Sequence, residues 1–74
     1  MWFYRGHRID VNATQTEDGR WNAEARVRRI VSVEPAHVNR VECRKLTAEA
    51  AEAAAVIYAQ RWIDRRALVG RGPD

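Results

Sequence analysis

The chain has 74 residues, 46% apolar content and a formal net charge of +3, which predicts one small globular domain and excludes wholesale disorder. Its single cysteine excludes an intramolecular disulfide and favours a reducing compartment. The first residues lack the apolar region of a signal peptide, and the longest apolar run is too short to cross a bilayer. We therefore expect a cytoplasmic protein that does not contact membranes.

Two alternating segments, HRIDVNA and RWNAEARV, predict the strands of a β-hairpin. The turn signal TEDGR lies between them, and the apolar residues of both segments have odd numbers. A loop over residues 17–19 pairs Ala13 with Ala23 and keeps both on one apolar face, whereas a tighter turn would bury Glu24. This loop predicts a left-handed backbone conformation for Gly19.

A third strand is predicted around NRVECRKL, after a loop that Pro35 imposes. The alternation of this segment directs Val41 and Cys43 towards the apolar face. If the loop has about four residues, Arg44 falls opposite Arg28 of the hairpin.

The polar face of the sheet carries arginines that are candidate contacts to nucleic acid or another polyanion. The hairpin register places Arg8 opposite Arg28 and Asp10 opposite Arg26, and Arg44 would extend the first pair into a row. Phosphate contacts supply most of the non-specific affinity for nucleic acid. Carboxylates on this face partly neutralise the arginines, and the register places no aromatic ring there for base stacking. A solvated face is therefore the favoured interpretation.

The segment AEAAEAAAVIYAQRWIDRRA predicts a long helix, because it is rich in strong helix formers and has no glycine or proline. Thr47 precedes it as the N-cap, and the order of its acidic and basic residues suits the helix dipole. The stripe expected to face the sheet consists of Ala51, Ala55, Tyr58, Ala59 and Trp62. We assign residues 1–67 to the domain and residues 68–74 to a flexible C-terminal tail.

These elements predict an α+β fold of the βββα type. Three strands form an antiparallel meander, and the C-terminal helix packs on one face of it. One helix cannot cover both faces of the sheet, so the other face stays open to water or to a partner.

Apolar residues outside the core stripe are candidate contacts to a protein partner or to a second copy of the chain. The N-terminal residues Trp2, Phe3 and Tyr4 either seal the end of the core near Trp62 or form an exposed aromatic patch. Ile57 lies on the helix away from the core stripe, which suggests helix-to-helix packing in a homodimer. An edge strand of the sheet offers a second route to self-association.

Residues that could act as catalytic groups or metal ligands occur singly rather than in catalytic or metal-binding patterns. His7 and His37 have no partners at metal-ligand spacing, and Cys43 lies on an inward face, which is typical of an inert thiol. The chain has no glycine-rich phosphate loop and little room for a substrate cleft. We therefore expect neither an enzyme nor a bound cofactor or metal.

The segments DGRWNAEARV and YAQRWIDRR resemble the hairpin and the alanine-rich, tryptophan-ending helix of small stand-alone βββα proteins of Gram-negative bacteria. The resemblance covers residues 5–66 and implies a fold rather than an activity. The arrangement is also similar to the N-terminal domain of HicB-type antitoxins and to double-stranded-RNA-binding domains. The chain shows neither the Pro-Gly-Cys-type segment of the former nor the first helix and basic loop of the latter. No functional residue carries over by position.

The leading hypothesis is a small non-enzymatic protein-interaction or regulatory module, with an unidentified protein or a second copy as its partner. The alternative is a polyanion-binding module that uses Arg8, Arg26, Arg28 and Arg44. The two hypotheses differ in salt dependence, because phosphate binding weakens steeply as the salt concentration rises.

Overall fold

The computed structural model shows an α+β fold. It describes residues 1–31 and 33–71, and the side chains of the helix as far as Arg66. The elements in chain order are β1 (Trp2–Tyr4), β2 (His7–Gln15), β3 (Trp21–Arg29), β4 (His37–Lys45) and α1 (Ala48–Arg71). The four strands form one antiparallel sheet in sequence order. The α+β class and the meander are confirmed, whereas the expectation of three strands is wrong because the N-terminal segment forms a strand of its own.

The additional strand, β1, is joined to β2 by a tight turn at Arg5 and Gly6. Their φ angles are 46° and 75°, and two successive positive values are typical of a type I′ hairpin turn. Glycine adopts this conformation without strain, and the turn pairs Tyr4 with His7. An arginine at the first turn position is not the asparagine or aspartate that usually marks such turns, so the sequence carries no strong signal for this hairpin.

The central hairpin of β2 and β3 has the predicted register. Ala13 lies opposite Ala23, with both on the apolar face of the sheet. The loop over residues 17–19 is closed by a backbone hydrogen bond of 2.7 Å between the residues that flank it. Gly19 has a φ angle of 83°, which is the left-handed conformation that this loop requires.

β4 follows β3 after a longer loop than expected, which spans residues 30–36. This length brings Val38, rather than a basic residue, opposite Arg26. The pairing then shifts register near the end of β4, where Arg44 adopts a φ angle of 48°. The predicted position of Arg44 opposite Arg28 is therefore wrong, because β3 ends at Arg29 and the chain turns earlier than expected, which places Arg44 beside Asn22 at the other end of β3.

α1 begins where the N-cap was predicted. The hydroxyl of Thr47 accepts a hydrogen bond from the backbone N–H of Ala50 at 3.1 Å, which satisfies one of the free N–H groups of the first turn. The helix continues to Arg71, into the segment expected to form a flexible tail, and residues 72–74 lie outside the described part of the chain.

The core lies between α1 and the central strands. Its buried apolar side chains are Ile9, Ala23, Ala25, Val27, Ala51, Ala55, Val56, Ala59 and Ile63. Alanines on the facing surfaces let the helix approach the sheet closely, and Ile9 and Ile63 fill the space that remains. Tyr58, which was expected in the core stripe, is exposed, because the stripe that faces the sheet follows Ala59 and Ile63 instead.

Candidate functional site

The open face of the sheet, meaning the side away from α1, carries arginines whose charges are partly neutralised by neighbouring carboxylates. Arg8 lies 3.0 Å from Asp10, and Glu24 lies 3.5 Å from Arg26 and 3.9 Å from Arg40. Such exposed pairs contribute little to stability. They do lower the positive potential that a polyanion would meet at this face.

Arg28 and Arg44, two of the predicted nucleic-acid contacts, lie at opposite ends of the sheet. Arg28 lies opposite Arg8 as predicted, and within the described residues it has no ion pair. Arg44 instead contacts Asp18 in the β2–β3 loop. Hydrogen bonds from the Thr16 hydroxyl and the backbone N–H of Arg20, together with the Arg44 guanidinium, lower the pKa of Asp18. The structure therefore brings the other predicted arginines to one face, but not Arg44.

β1 places one aromatic ring on each face of the sheet. Trp2 lies opposite Ile9, which is buried beneath α1, so Trp2 is on the helix side. Phe3 lies opposite Arg8 and is therefore on the open face. Trp2 is 50% exposed and Phe3 is 64% exposed. The open face thus has an aromatic ring, contrary to the expectation from the three-strand register.

Tyr4, the third aromatic residue of β1, is held within the fold. Its hydroxyl donates to Asp64 of α1, with both carboxylate oxygens at 2.9 Å, and Arg5 lies 3.2 Å from the same carboxylate. Tyr4 therefore seals one end of the core, which was one of the two predicted alternatives, but it does so beside Asp64 rather than Trp62. The contact also shows which side of α1 faces β1.

Ile57 is on the same side of α1 as Asp64, because it lies about two helical turns earlier. It is 50% exposed. Trp2 and Ile57 are thus exposed apolar residues on the helix side of the molecule, and Phe3 is exposed on the opposite face of the same edge strand. We call these three residues the β1 flank. Three of the predicted partner contacts are thus exposed, whereas the fourth, Tyr4, bonds to Asp64.

A concave surface lies at the end of the sheet where β2 begins and β3 ends. It is a cleft of about 300 Å³, which we call the sheet-end cleft. Its charged and aromatic lining residues are His7, Arg29, Glu34, His37, Trp62 and Arg66. No spacing in the sequence links the two histidines, because the residues of this cleft come from distant segments and only the fold brings them together.

His37 is held in a fixed orientation in this cleft. Its ring stacks on Trp62, with centroids 4.2 Å apart and planes inclined by 8°, and its Nε2 donates to Oδ1 of Asn39 at 2.9 Å. Asn39 is buried, and its Nδ2 has no hydrogen-bond partner within the described residues. Leaving such a group unpaired costs about 1–3 kcal/mol. Asn39 accepts the hydrogen bond that orients His37, and an apolar side chain at this position could not do so.

Within the described part of the chain, no three His, Cys, Asp or Glu side chains lie close enough together to hold a metal ion. Cys43 is half-buried, and its Sγ lies 3.5 Å from the carbonyl oxygen of Trp21. Among the described helical residues, no segment is long and apolar enough to cross a membrane. The candidate sites are the open face, the β1 flank and the sheet-end cleft.

Comparison of the chain with family models, curated proteins and solved structures finds no match. The resemblance to small βββα proteins, HicB-type antitoxins and double-stranded-RNA-binding domains stays a prediction from the sequence. The functional assignment therefore depends on the surfaces of the structure itself.

Proposed function

We propose that the protein is a small interaction module whose β1 flank binds a second copy of the same chain. The observation that carries this proposal is the exposure of Trp2, Phe3 and Ile57, two of which belong to the edge strand β1. Exposed large apolar side chains that cluster on a soluble protein often mark a contact site. Aromatic residues are also enriched at the energetic centres of protein interfaces.

The backbone beside the β1 flank supports the same proposal. β1 pairs only with residues 7–9 of β2, so the outer edge of β2 beyond Ile9 has no neighbouring strand within the described chain. Unpaired strand edges readily accept a strand from another molecule. A partner at the β1 flank therefore gains backbone hydrogen bonds in addition to apolar contact.

The charges around the β1 flank favour a second copy as the partner. Arg5 pairs with Asp64 at 3.2 Å and Arg8 pairs with Asp10 at 3.0 Å, so both signs of charge border the apolar residues. A two-fold interface brings the same patch of both copies together. With both signs present, an arginine of one copy can meet a carboxylate of the other, whereas a rim of one sign would repel itself.

Sedimentation velocity of the wild type and two variants over a range of micromolar concentrations tests this proposal. Ile57→Lys places a charge in the β1 flank, and we expect it to weaken self-association by about 2 kcal/mol or more, which is roughly thirtyfold in Kd. Tyr58→Lys is the matched control, because Tyr58 is the next residue of α1 and is also exposed but points about 100° away. A wild type that stays monomeric, or equal losses in both variants, contradicts the proposal.

A second candidate function is binding of single-stranded nucleic acid by the open face. It is favoured by the row of Phe3, Arg8 and Arg28 across β1, β2 and β3. This row combines a ring for base stacking with two side chains that can contact phosphates. The carboxylates of the open face oppose this function, and for that reason the β1 flank is preferred.

An NMR titration with a short single-stranded oligonucleotide tests the second candidate. If Arg8 and Arg28 each contact one phosphate, the affinity should fall by about sevenfold for a fourfold rise in salt concentration. Arg28→Gln should abolish the shifts at Phe3, whereas Arg20→Gln, a change of an exposed arginine in the β2–β3 loop, should preserve them. The absence of shifts at low salt would eliminate this function.

A further inference from the structure

The sheet-end cleft is a site separate from the β1 flank, since none of Trp2, Phe3 and Ile57 lines it. We propose that it binds a small oxyanion, either a carboxylate or a phosphate group, through Arg29 and Arg66. Its volume of about 300 Å³ is at the lower end of the range for ligand pockets. This size fits a small organic acid or a phosphorylated metabolite better than a polymer.

The charge balance of the cleft favours an anionic ligand. Arg29 and Arg66 both line it, and within the described residues neither has a carboxylate within ion-pair distance. Glu34 is the acidic residue of the lining, so the arginines leave an excess of positive charge even with both histidines neutral. Guanidinium groups that converge on a concave surface can bind a carboxylate or phosphate through paired N–H donors.

The aromatic wall of the cleft orders the groups that would contact the ligand. The guanidinium carbon of Arg66 lies over the Trp62 ring, 4.8 Å from its centroid. The His37 ring stacks on the same indole at 4.2 Å. Groups that are already ordered lose less conformational entropy when a ligand binds.

In each histidine ring, one nitrogen makes a hydrogen bond within the protein and the other can face a ligand. Nδ1 of His7 donates to the carbonyl of Arg5 at 2.9 Å, which leaves Nε2 for a ligand. Nε2 of His37 donates to the buried Asn39, which leaves Nδ1. Asn39 is therefore a positioning residue. This role accounts for the presence of a buried amide on the apolar side of β4, although its Nδ2 has no hydrogen-bond partner among the described residues.

The test is an NMR titration of isotope-labelled protein with sodium phosphate and, separately, with sodium acetate, at an ionic strength held constant with sodium chloride. We expect saturable shifts at the backbone amide of His37 and at the indole N–H of Trp62. The probe that binds more tightly identifies the ligand as phosphate-like or carboxylate-like. Shifts that grow without saturation, or that do not include these two groups, would overturn the proposal.

Two pairs of variants separate a built site from general attraction of anions to a basic protein. Arg29→Gln and Arg66→Gln should each weaken binding by about tenfold or more. Arg28→Gln and Arg65→Gln are matched controls at the neighbouring positions, which do not line the cleft, and they should leave the affinity unchanged. Equal losses in both pairs would show that the cleft is not a specific site.

Glu34→Gln provides a test that does not remove an arginine. It takes away the negative charge of the lining, so it should tighten binding of both probes while the protein keeps its native spectrum. Unchanged or weaker binding would contradict the proposal, even if one of the arginine variants failed to fold. None of these results bears on the β1 flank, whose readout is self-association.

Discussion

Replacing Ile63 with alanine tests whether packing against the sheet holds α1 in place. Ile63 is 1% exposed, and the change removes about three methylene equivalents, or roughly 2.4 kcal/mol of transfer free energy. The cavity left behind adds to the loss, so we expect a decrease of about 2.5–4 kcal/mol in the free energy of unfolding. A chain of 74 residues has a total stability of about 4–11 kcal/mol. The variant should therefore lose a large share of its stability.

Ile57→Ala is the matched control, since it makes the same chemical change on the same helix. Ile57 is 50% exposed and lies outside the core cluster, so its replacement should change the free energy of unfolding by less than about 0.5 kcal/mol at a protein concentration too low for self-association. Ile63→Val should cost about 0.5–1.5 kcal/mol. This milder variant keeps the comparison informative if Ile63→Ala is unfolded in water.

The assay is urea unfolding followed by far-UV circular dichroism, with linear extrapolation to water. Ile63→Ala should be the least stable variant, followed by Ile63→Val, with Ile57→Ala close to the wild type. Equal losses for the two alanine variants would refute the reasoning. In that case Ile57 would contribute to the core as much as Ile63 does, and it would not be available for the β1 flank.

Other predictions use the same unfolding assay. Thr47→Ala removes the N-cap of α1 and should cost about 1 kcal/mol, whereas an unchanged stability would show that the cap contributes nothing. Asn39→Leu replaces a buried amide with an apolar side chain of similar shape and should leave stability unchanged or raise it by up to about 1 kcal/mol; a large loss would mean that its bond to His37 is important for folding. Because the pKa of Asp18 is lowered in the folded protein, its carboxylate stabilises the fold above the ordinary pKa of 3.8, and this stabilisation is lost as the pH falls through the lowered value. Asp18→Asn should therefore be less stable than the wild type at neutral pH and match it in acid, and a difference that persists unchanged in acid would contradict a charge origin.

The register of the β2–β3 hairpin could be predicted because two independent constraints agree. The odd-numbered apolar residues of both strands must share a face, and Gly19 permits the loop that achieves this. The start of α1 could be predicted for a similar reason, since Thr47 stands directly before a run of strong helix formers. Local pattern and turn chemistry were sufficient in both places.

β1 and the position of β4 could not be predicted, because they depend on backbone conformations that leave no mark in the sequence. Arg5 and Arg44 both have positive φ angles, which are uncommon for residues other than glycine. The first allows the turn that adds β1 to the sheet and puts Phe3 on the open face. The second accompanies the register shift near the end of β4, whereas Arg44 leaves the predicted row because β3 ends at Arg29 and the chain turns earlier than expected.

The candidate sites show the same division between local and long-range information. Trp2, Phe3 and Ile57 could be proposed individually as exposed apolar residues, but only the fold adds β1 to the sheet and joins it to α1 through Tyr4 and Asp64. The residues of the sheet-end cleft come from β2, β3, the following loop and α1. No spacing along the chain could have connected them, because the cleft is a product of the tertiary fold.

The most direct test of the β1 flank as a contact between two copies is an isotope-filtered NOE experiment on a mixture of labelled and unlabelled chains. The proposal predicts NOEs between the ring protons of Trp2 or Phe3 in one copy and the methyl protons of Ile57 in the other. Intermolecular NOEs that involve β4 or Tyr58 instead, or none at high protein concentration, would contradict it.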